Sequence, residues 1–209
     1  MTKLGLSVFC LFYFSIFLSS QKDWQVALSQ DDITLWTKDF KESNVKQFKL
    51  KTNVKCDIKT IYSVLKDVEN MHLWYDRVAS VNLLKKISEN EGIYLLEYGL
   101  PFPFENRVAT INGKINYDTL QNTIIVLTNY FPFNIPKQKS GFLHITEIQS
   151  SWNVIKKSDG IFEIIHSGYM NPGGNIPLWL INEGVTSGPL KTIKAFKKML
   201  LKHKNKASK

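Results

Sequence analysis

From Val78 to Tyr169 apolar and polar residues alternate with a period of two, interrupted by short clusters of turn-forming residues. That period puts successive side chains on opposite faces of an extended strand, and a helix cannot use it. The alternation predicts strands over Val78–Ile87, Ile93–Leu100, Arg107–Tyr117, Thr123–Tyr130, Phe142–Lys156 and Ile161–Tyr169, with turns at "SENEG", "PFPFEN", "DTLQN", "FPFNIPKQKSG" and "KSDG". Strands joined by turns of this length run antiparallel to one another, so the middle of the chain is a long meander. Such a sheet buries one face and needs a cover for it.

The C-terminal segment supplies the cover. Asn175 and Pro177 suit a helix start; Ile181, Val185, Ile193, Phe196 and Leu200 mark an apolar stripe, and Lys191, Lys194, Lys197 and Lys198 mark the opposite face. Gly184, Gly188 and Pro189 loosen or kink its middle, and the last lysines are expected to fray. Ahead of the meander, "ITLWTKDF" and "VKQFKLKTNVK" read as a half-buried hairpin. Asp57 stands as the cap of a helix whose apolar residues are Ile58, Ile61, Tyr62, Leu65 and Val68, expected to end around "NMHLWYD". Trp24 to Ser29 is compatible with a short helix. The sum is an α+β domain, a strongly curved antiparallel sheet around one long helix, and a sheet of this extent around a single helix leaves room for a cavity.

A chain of 209 residues suffices for one domain with a sizeable core. The first residues stand apart from it. After Lys3 an uncharged apolar run extends from Leu4 to Leu18, followed by Ser19 and Ser20. A basic start, a short apolar stretch and a small-residue exit describe a secretory leader over residues 1–20, leaving a domain over 21–209. The expected location is secreted or periplasmic; bulky Leu18 keeps an uncleaved membrane anchor as the alternative. Without the leader one cysteine remains, Cys56, so the domain is held by its core and not by a disulfide. The net charge is +9, yet Arg77 and Arg107 are the only arginines. Readers of nucleic acid depend on the guanidinium fork, so nucleic acid is not an expected partner. A lysine-rich surface solubilises, and it can also favour anionic membranes.

"LPFPFENR", from Leu100 to Arg107, has the prolines of a turn but carries Phe102 and Phe104 where polar residues are usual. Either they are core residues on a bent strand or they cover something.

The order of "ITLWTKD", "HLWYDRV", "YLLEYGLPFPFENRV" and "GGNIPLWLINEGVTSGPLKTIKAFKKML" resembles the START (StAR-related lipid transfer) domain over nearly all of the chain after the leader. The resemblance implies a helix-grip fold, with the curved sheet wrapped around the C-terminal helix and an internal hydrophobic cavity for one lipid. It implies further that the 100–106 loop is a lid beside the start of the terminal helix, with Phe102 and Phe104 as its inner surface. Family members often carry an arginine shortly after the loop that here reads "NIPKQKSGF"; this chain has Leu143 and His144, so a head-group contact at that point is in doubt.

Tyr94, Tyr98, Phe102, Phe104, Trp179 and Leu180 are the apolar candidates for the cavity, and His144, His166 and Asn182 are polar ones. Glu97 and Arg107, on neighbouring predicted strands, either pair across the cavity and orient a head group or form an ordinary cross-strand ion pair at its rim. No metalloprotease, nucleophile-elbow or phosphate-loop motif occurs, and no cofactor or metal is expected. The expected activity is non-enzymatic binding and transfer of a lipid by a monomer that touches membranes transiently. The alternatives are a helix-grip cyclase or hydrolase acting on a hydrophobic substrate, and a protein-binding domain with a collapsed cavity.

Overall fold

A computed structural model describes residues 23–40, 43–134 and 142–207. The expected leader and most of the expected turn after Tyr130 lie outside these residues. Among them ten strands form one sheet: β1 (Gln25–Gln30), β2 (Ile33–Phe40), β3 (Ser43–Lys55), β4 (Val78–Ser88), β5 (Glu91–Tyr98), β6 (Asn106–Asp118), β7 (Thr123–Tyr130), β8 (Phe142–His144), β9 (Glu147–Ser158) and β10 (Ile161–Asn171). Helix α1 (Ile58–Lys66) follows β3, and α2 (Leu178–Ala207) ends the chain. The spatial order is β1-β2-β3-β10-β9-β7-β6-β5-β4, with β8 beside β6. Apart from the parallel β6–β8 pair, every pairing is antiparallel. This is the helix-grip architecture expected from the alternation and the terminal helix.

Three elements differ from the sequence expectation. Residues 25–30 form a strand and not a helix, paired to β2 from Gln25↔Thr37 to Gln30↔Ile33. The strand is mostly exposed, so backbone pairing with the edge of β2 fixes it and no burial pattern announces it. Helix α1 stops at Lys66, and the stretch expected to continue it holds a single 3-10 turn, Met71–Leu73. Asp57 does occupy the N-cap position with extended backbone, but its side chain makes no capping hydrogen bond. The single strand expected over Phe142–Lys156 is broken at Ile145 and Thr146. Because β7 pairs with β6 only from Ile111 onward, the first residues of β6 have an open side, which β8 takes by pairing Asn106–Val108 with Phe142–His144.

Apolar packing falls into two clusters. The larger joins α1 and the second half of α2 to the sheet through Ile61, Leu50, Val154, Ile164, Ile193 and Phe196. Trp74, Trp152 and Phe196 meet at ring separations of 4.9–5.6 Å within it. Burying a side chain such as Phe196 contributes about 2–3 kcal/mol. The smaller cluster lies on β4, β5 and β6, around Val81, Leu96, Tyr98 and Ile111. Met71 and Tyr75 pack against both. Ahead of Leu190, α2 belongs to neither cluster, and the space it faces is a cavity.

Candidate functional site

The cavity has a volume of about 280 Å³ and lies between the concave face of the sheet, the first half of α2 and the loop after β5. The period of two builds its wall, since every second residue of β5 (Tyr94, Leu96, Tyr98) points in, as do Ile111, Gly113 and Ile115 of β6. Helix α2 contributes Leu180, Ile181, Gly184, Val185 and Gly188, and the loop contributes Leu100, Pro101 and Phe104. Glycine shapes the wall at β6, where a Cβ on Gly113 would come within 3.3 Å of the Tyr94 ring. At Gly184 a Cβ would meet open space.

The lining carries the charged residues Lys46, Lys66, Asp76, Arg77, Glu89 and Lys114 beside neutral tyrosines. Burial pushes the phenols of Tyr75, Tyr94 and Tyr98 above their ordinary range, so each remains a hydroxyl. The Tyr75 hydroxyl lies 3.3 Å from Nε2 of His166, whose Nδ1 is 3.0 Å from the Ser151 carbonyl oxygen. A carbonyl only accepts, so Nδ1 carries the proton and Nε2 accepts from Tyr75. His166 is 0% exposed, stacks on Trp152 at 4.0 Å, and is pulled by desolvation down to about 4, against the upward effect of the Ser151 carbonyl. It is therefore neutral at pH 7, and it sits behind the wall as the support of Tyr75.

The structure gathers some of the sequence candidates and separates others. Tyr94, Tyr98, Phe104 and Leu180 line the cavity. Phe102 departs from the expected inner surface of the loop, being 96% exposed, and Trp179 is 71% exposed. Asn182 pins α2 to the start of β3: its Oδ1 accepts from the Lys46 amide at 3.0 Å and its Nδ2 donates to the Asn44 carbonyl at 3.2 Å. His144 is exposed on β8.

Of the two arrangements left open for Glu97 and Arg107, the pair across the cavity does not form. Glu97 alternates with Tyr94, Leu96 and Tyr98 and so projects from the opposite face of β5. Arg107 stands across from Tyr98, which puts it on the inner face, but at the strand end. It is 2% exposed, and its guanidinium donates from Nε to the Pro172 carbonyl at 2.8 Å, from Nη2 to the Gly173 carbonyl at 3.1 Å and from Nη1 to the Glu105 carbonyl. Burial lowers its pKa, opposed by the Glu105 carboxylate. The side chain ties the loop before β6 to the connection between β10 and α2. Gly174 makes room for it, with φ +69° and a site where a Cβ would come within 2.9 Å of Nη2.

Several residues that shape the site were not among the sequence candidates for it. Tyr75, Asp76 and Arg77 line the cavity from the segment after the 3-10 turn, and Met170 and Thr192 from β10 and α2. A hydrophobic run that ends in Trp-Tyr-Asp-Arg reads locally as a helix end, and only the fold turns it inward.

A curved sheet gripping a helix, with a lined cavity between them and a loop over one end, defines the helix-grip class of ligand-cavity proteins. The chain belongs to the START domain family, whose model matches residues 14–206. An uncharacterized protein of Pseudomonas aeruginosa is 27% identical over 176 residues, 84% of this chain and 86% of that one. The phosphatidylcholine transfer protein of the mouse is 24% identical over 170 residues, covering 79% of this chain and 78% of its own. The crystal structure of a STAR-related lipid transfer protein from Xanthomonas axonopodis shares the fold with a TM-score of 0.74, at 24% identity, over 85% of this chain and 98% of that one.

Proposed function

We propose that the protein is a non-enzymatic carrier that holds one lipid, or another hydrophobic molecule, in the cavity and exchanges it with membranes through the 100–106 loop and the start of α2. The observation that carries the reading is the cavity itself, an apolar space that the first half of α2 faces and leaves unfilled. An acyl chain leaving a bilayer exposes methylenes at about 0.8 kcal/mol each, so a chain of about fourteen carbons costs on the order of 11 kcal/mol unless another apolar wall replaces the hydrocarbon. The names of the phosphatidylcholine transfer protein and of the Xanthomonas protein point the same way.

The two exposed aromatics fit the exchange step. Phe102 stands on the loop and Trp179 on the first turn of α2, beside the residues that close the cavity. An aromatic that lies open to water is available to the bilayer interface, where such rings concentrate. We read Phe102 and Trp179 as the contact with the membrane, made by a monomer, and Phe104 as the inner face of the lid.

Filling the cavity tests the reading. Gly184→Phe adds a ring at a lining position where a Cβ meets open space, and it replaces a helical glycine at a gain of about 0.3–0.5 kcal/mol in helix propensity. The variant is expected to keep its melting temperature and to lose extraction of a pyrene-labelled phospholipid from vesicles. Undiminished extraction by a folded variant would refute a ligand in this cavity.

A further inference from the structure

We propose that Arg77 is the polar anchor of the cavity, and that the molecule bound there carries an oxyanion head, a carboxylate or a phosphate, seated on Nη1 and Nη2 of its guanidinium; the inference rests on the preceding reading of the cavity as a ligand site. Of the two arginines, Arg107 has its fork engaged by the carbonyls of Glu105, Pro172 and Gly173. Arg77 lines the cavity with its side chain 32% exposed. Its ion pair is a single one, from Nε to Oδ2 of Asp76 at 3.5 Å, and it leaves the two terminal nitrogens without a protein partner among the described residues. A guanidinium held at Nε and open at its terminal nitrogens matches the two oxygens of a carboxylate or phosphate.

The backbone is built to hold it there. Arg77 has φ +63°, a left-handed conformation that disfavours any residue with a Cβ. Hydrogen bonds fix it on both sides: the Asp76 amide donates to Oγ1 of buried Thr192 at 3.0 Å, and the Arg77 carbonyl accepts from the Gly99 amide at 2.9 Å. Gly99 directly precedes the loop, and Thr192 follows the Gly188-Pro189 step of α2. The arginine thus stands where the root of the lid, the middle of α2 and the cavity meet, in a conformation that glycine would adopt more readily.

That last point separates binding from folding. Arg77→Gly removes the guanidinium while relieving the backbone, so its melting temperature should be unchanged or higher. Arg77→Lys keeps the charge and loses the fork. Protein freed of co-purified lipid is titrated calorimetrically with dodecanoate, dodecyl phosphate and dodecanol, which share a chain and differ in head. Wild type is expected to bind at least one of the anions about 10- to 100-fold more tightly than dodecanol, and the better anion identifies the head. Arg77→Gly should reduce that anion to the affinity of dodecanol without changing dodecanol itself, and Arg77→Lys should fall between. Equal affinity of wild type for all three, or an anion affinity unaltered by both substitutions, overturns the assignment of Arg77 while dodecanol binding still supports the cavity. Binding of none of the three overturns both.

Discussion

Replacing Arg107 with methionine should destabilise the domain by about 3–5 kcal/mol. Of its three acceptors, the Pro172 carbonyl is sealed with the guanidinium, whereas Gly173 and Glu105 border solvent. Leaving a buried carbonyl without a donor costs about 1–3 kcal/mol, and losing each of the other two bonds, whose acceptors can find water, costs about 1 kcal/mol. The sum agrees with the usual penalty for breaking a buried charged network. Urea unfolding followed by the fluorescence of Trp74 and Trp152 should show a midpoint lowered by roughly 1–2 M with an unchanged slope. Gly174→Ala offers a second approach to the same contact, because its Cβ would displace Nη2. In the Arg107→Met background that part of the penalty disappears, leaving the positive φ and the 2.8 Å approach of the Cβ to Cδ1 of Leu143, so the two substitutions should be less than additive. A variant lacking Arg107 that unfolds at the wild-type midpoint but fails to bind lipid would refute the structural role and restore Arg107 as a head-group ligand.

His166 makes stability depend on pH. Its folded pKa of about 4 lies below the ordinary 6.5, so the unfolded chain takes up the proton first, and stability present above pH 6.5 is lost as pH falls toward 4. Between pH 7 and pH 5 the loss should be about 2 kcal/mol in urea titrations, and His166→Gln should flatten that window. Phe102→Ser and Trp179→Ser remove exposed rings and should change unfolding free energy by less than about 0.5 kcal/mol. Together they should slow lipid uptake from vesicles about tenfold or more, read by stopped-flow fluorescence. Phe104→Ser, whose ring lines the cavity, should instead speed release of bound lipid from the loaded protein.

The strands of the meander were legible where one face is wet and the other dry, as in β7 and β9, which writes a period of two; Arg107–Ile111 of β6 and Phe162–Ile164 of β10 are buried on both faces, and there the turn residues at either end marked the strand. Where that asymmetry is missing the pattern is silent: β1 is wet on nearly every side, and β8 is three residues long. The terminal helix was readable as an amphipathic element, but its stripe does not reveal that Ile193, Phe196 and Leu200 fill the core while Ile181 and Val185 face open space. Tyr94 and Tyr98 could be placed in the wall from the alternation of β5. Phe102 and Phe104 could not be told apart, since a loop has no period to say which ring turns inward. The role of Arg107 depends on backbone carbonyls 65 and 66 positions away, and a sequence shows side chains, not the directions of distant carbonyls.

The join between β3 and β10 sets the order in which the protein can be completed. Lys55 pairs with Ile161 and Phe48 with Gly168, so the first hairpin keeps an open edge until about a hundred more residues have been made. Pairings this distant form slowly, and an open strand edge is a template for the wrong partner while it lasts. On a growing chain β3 is therefore made well before its partner β10, and α2, which roofs the cavity, is synthesised after both. The cavity is closed only when α2 docks, and a hydrophobic molecule already resting on the half-built sheet would be enclosed by that step without passing the 100–106 loop.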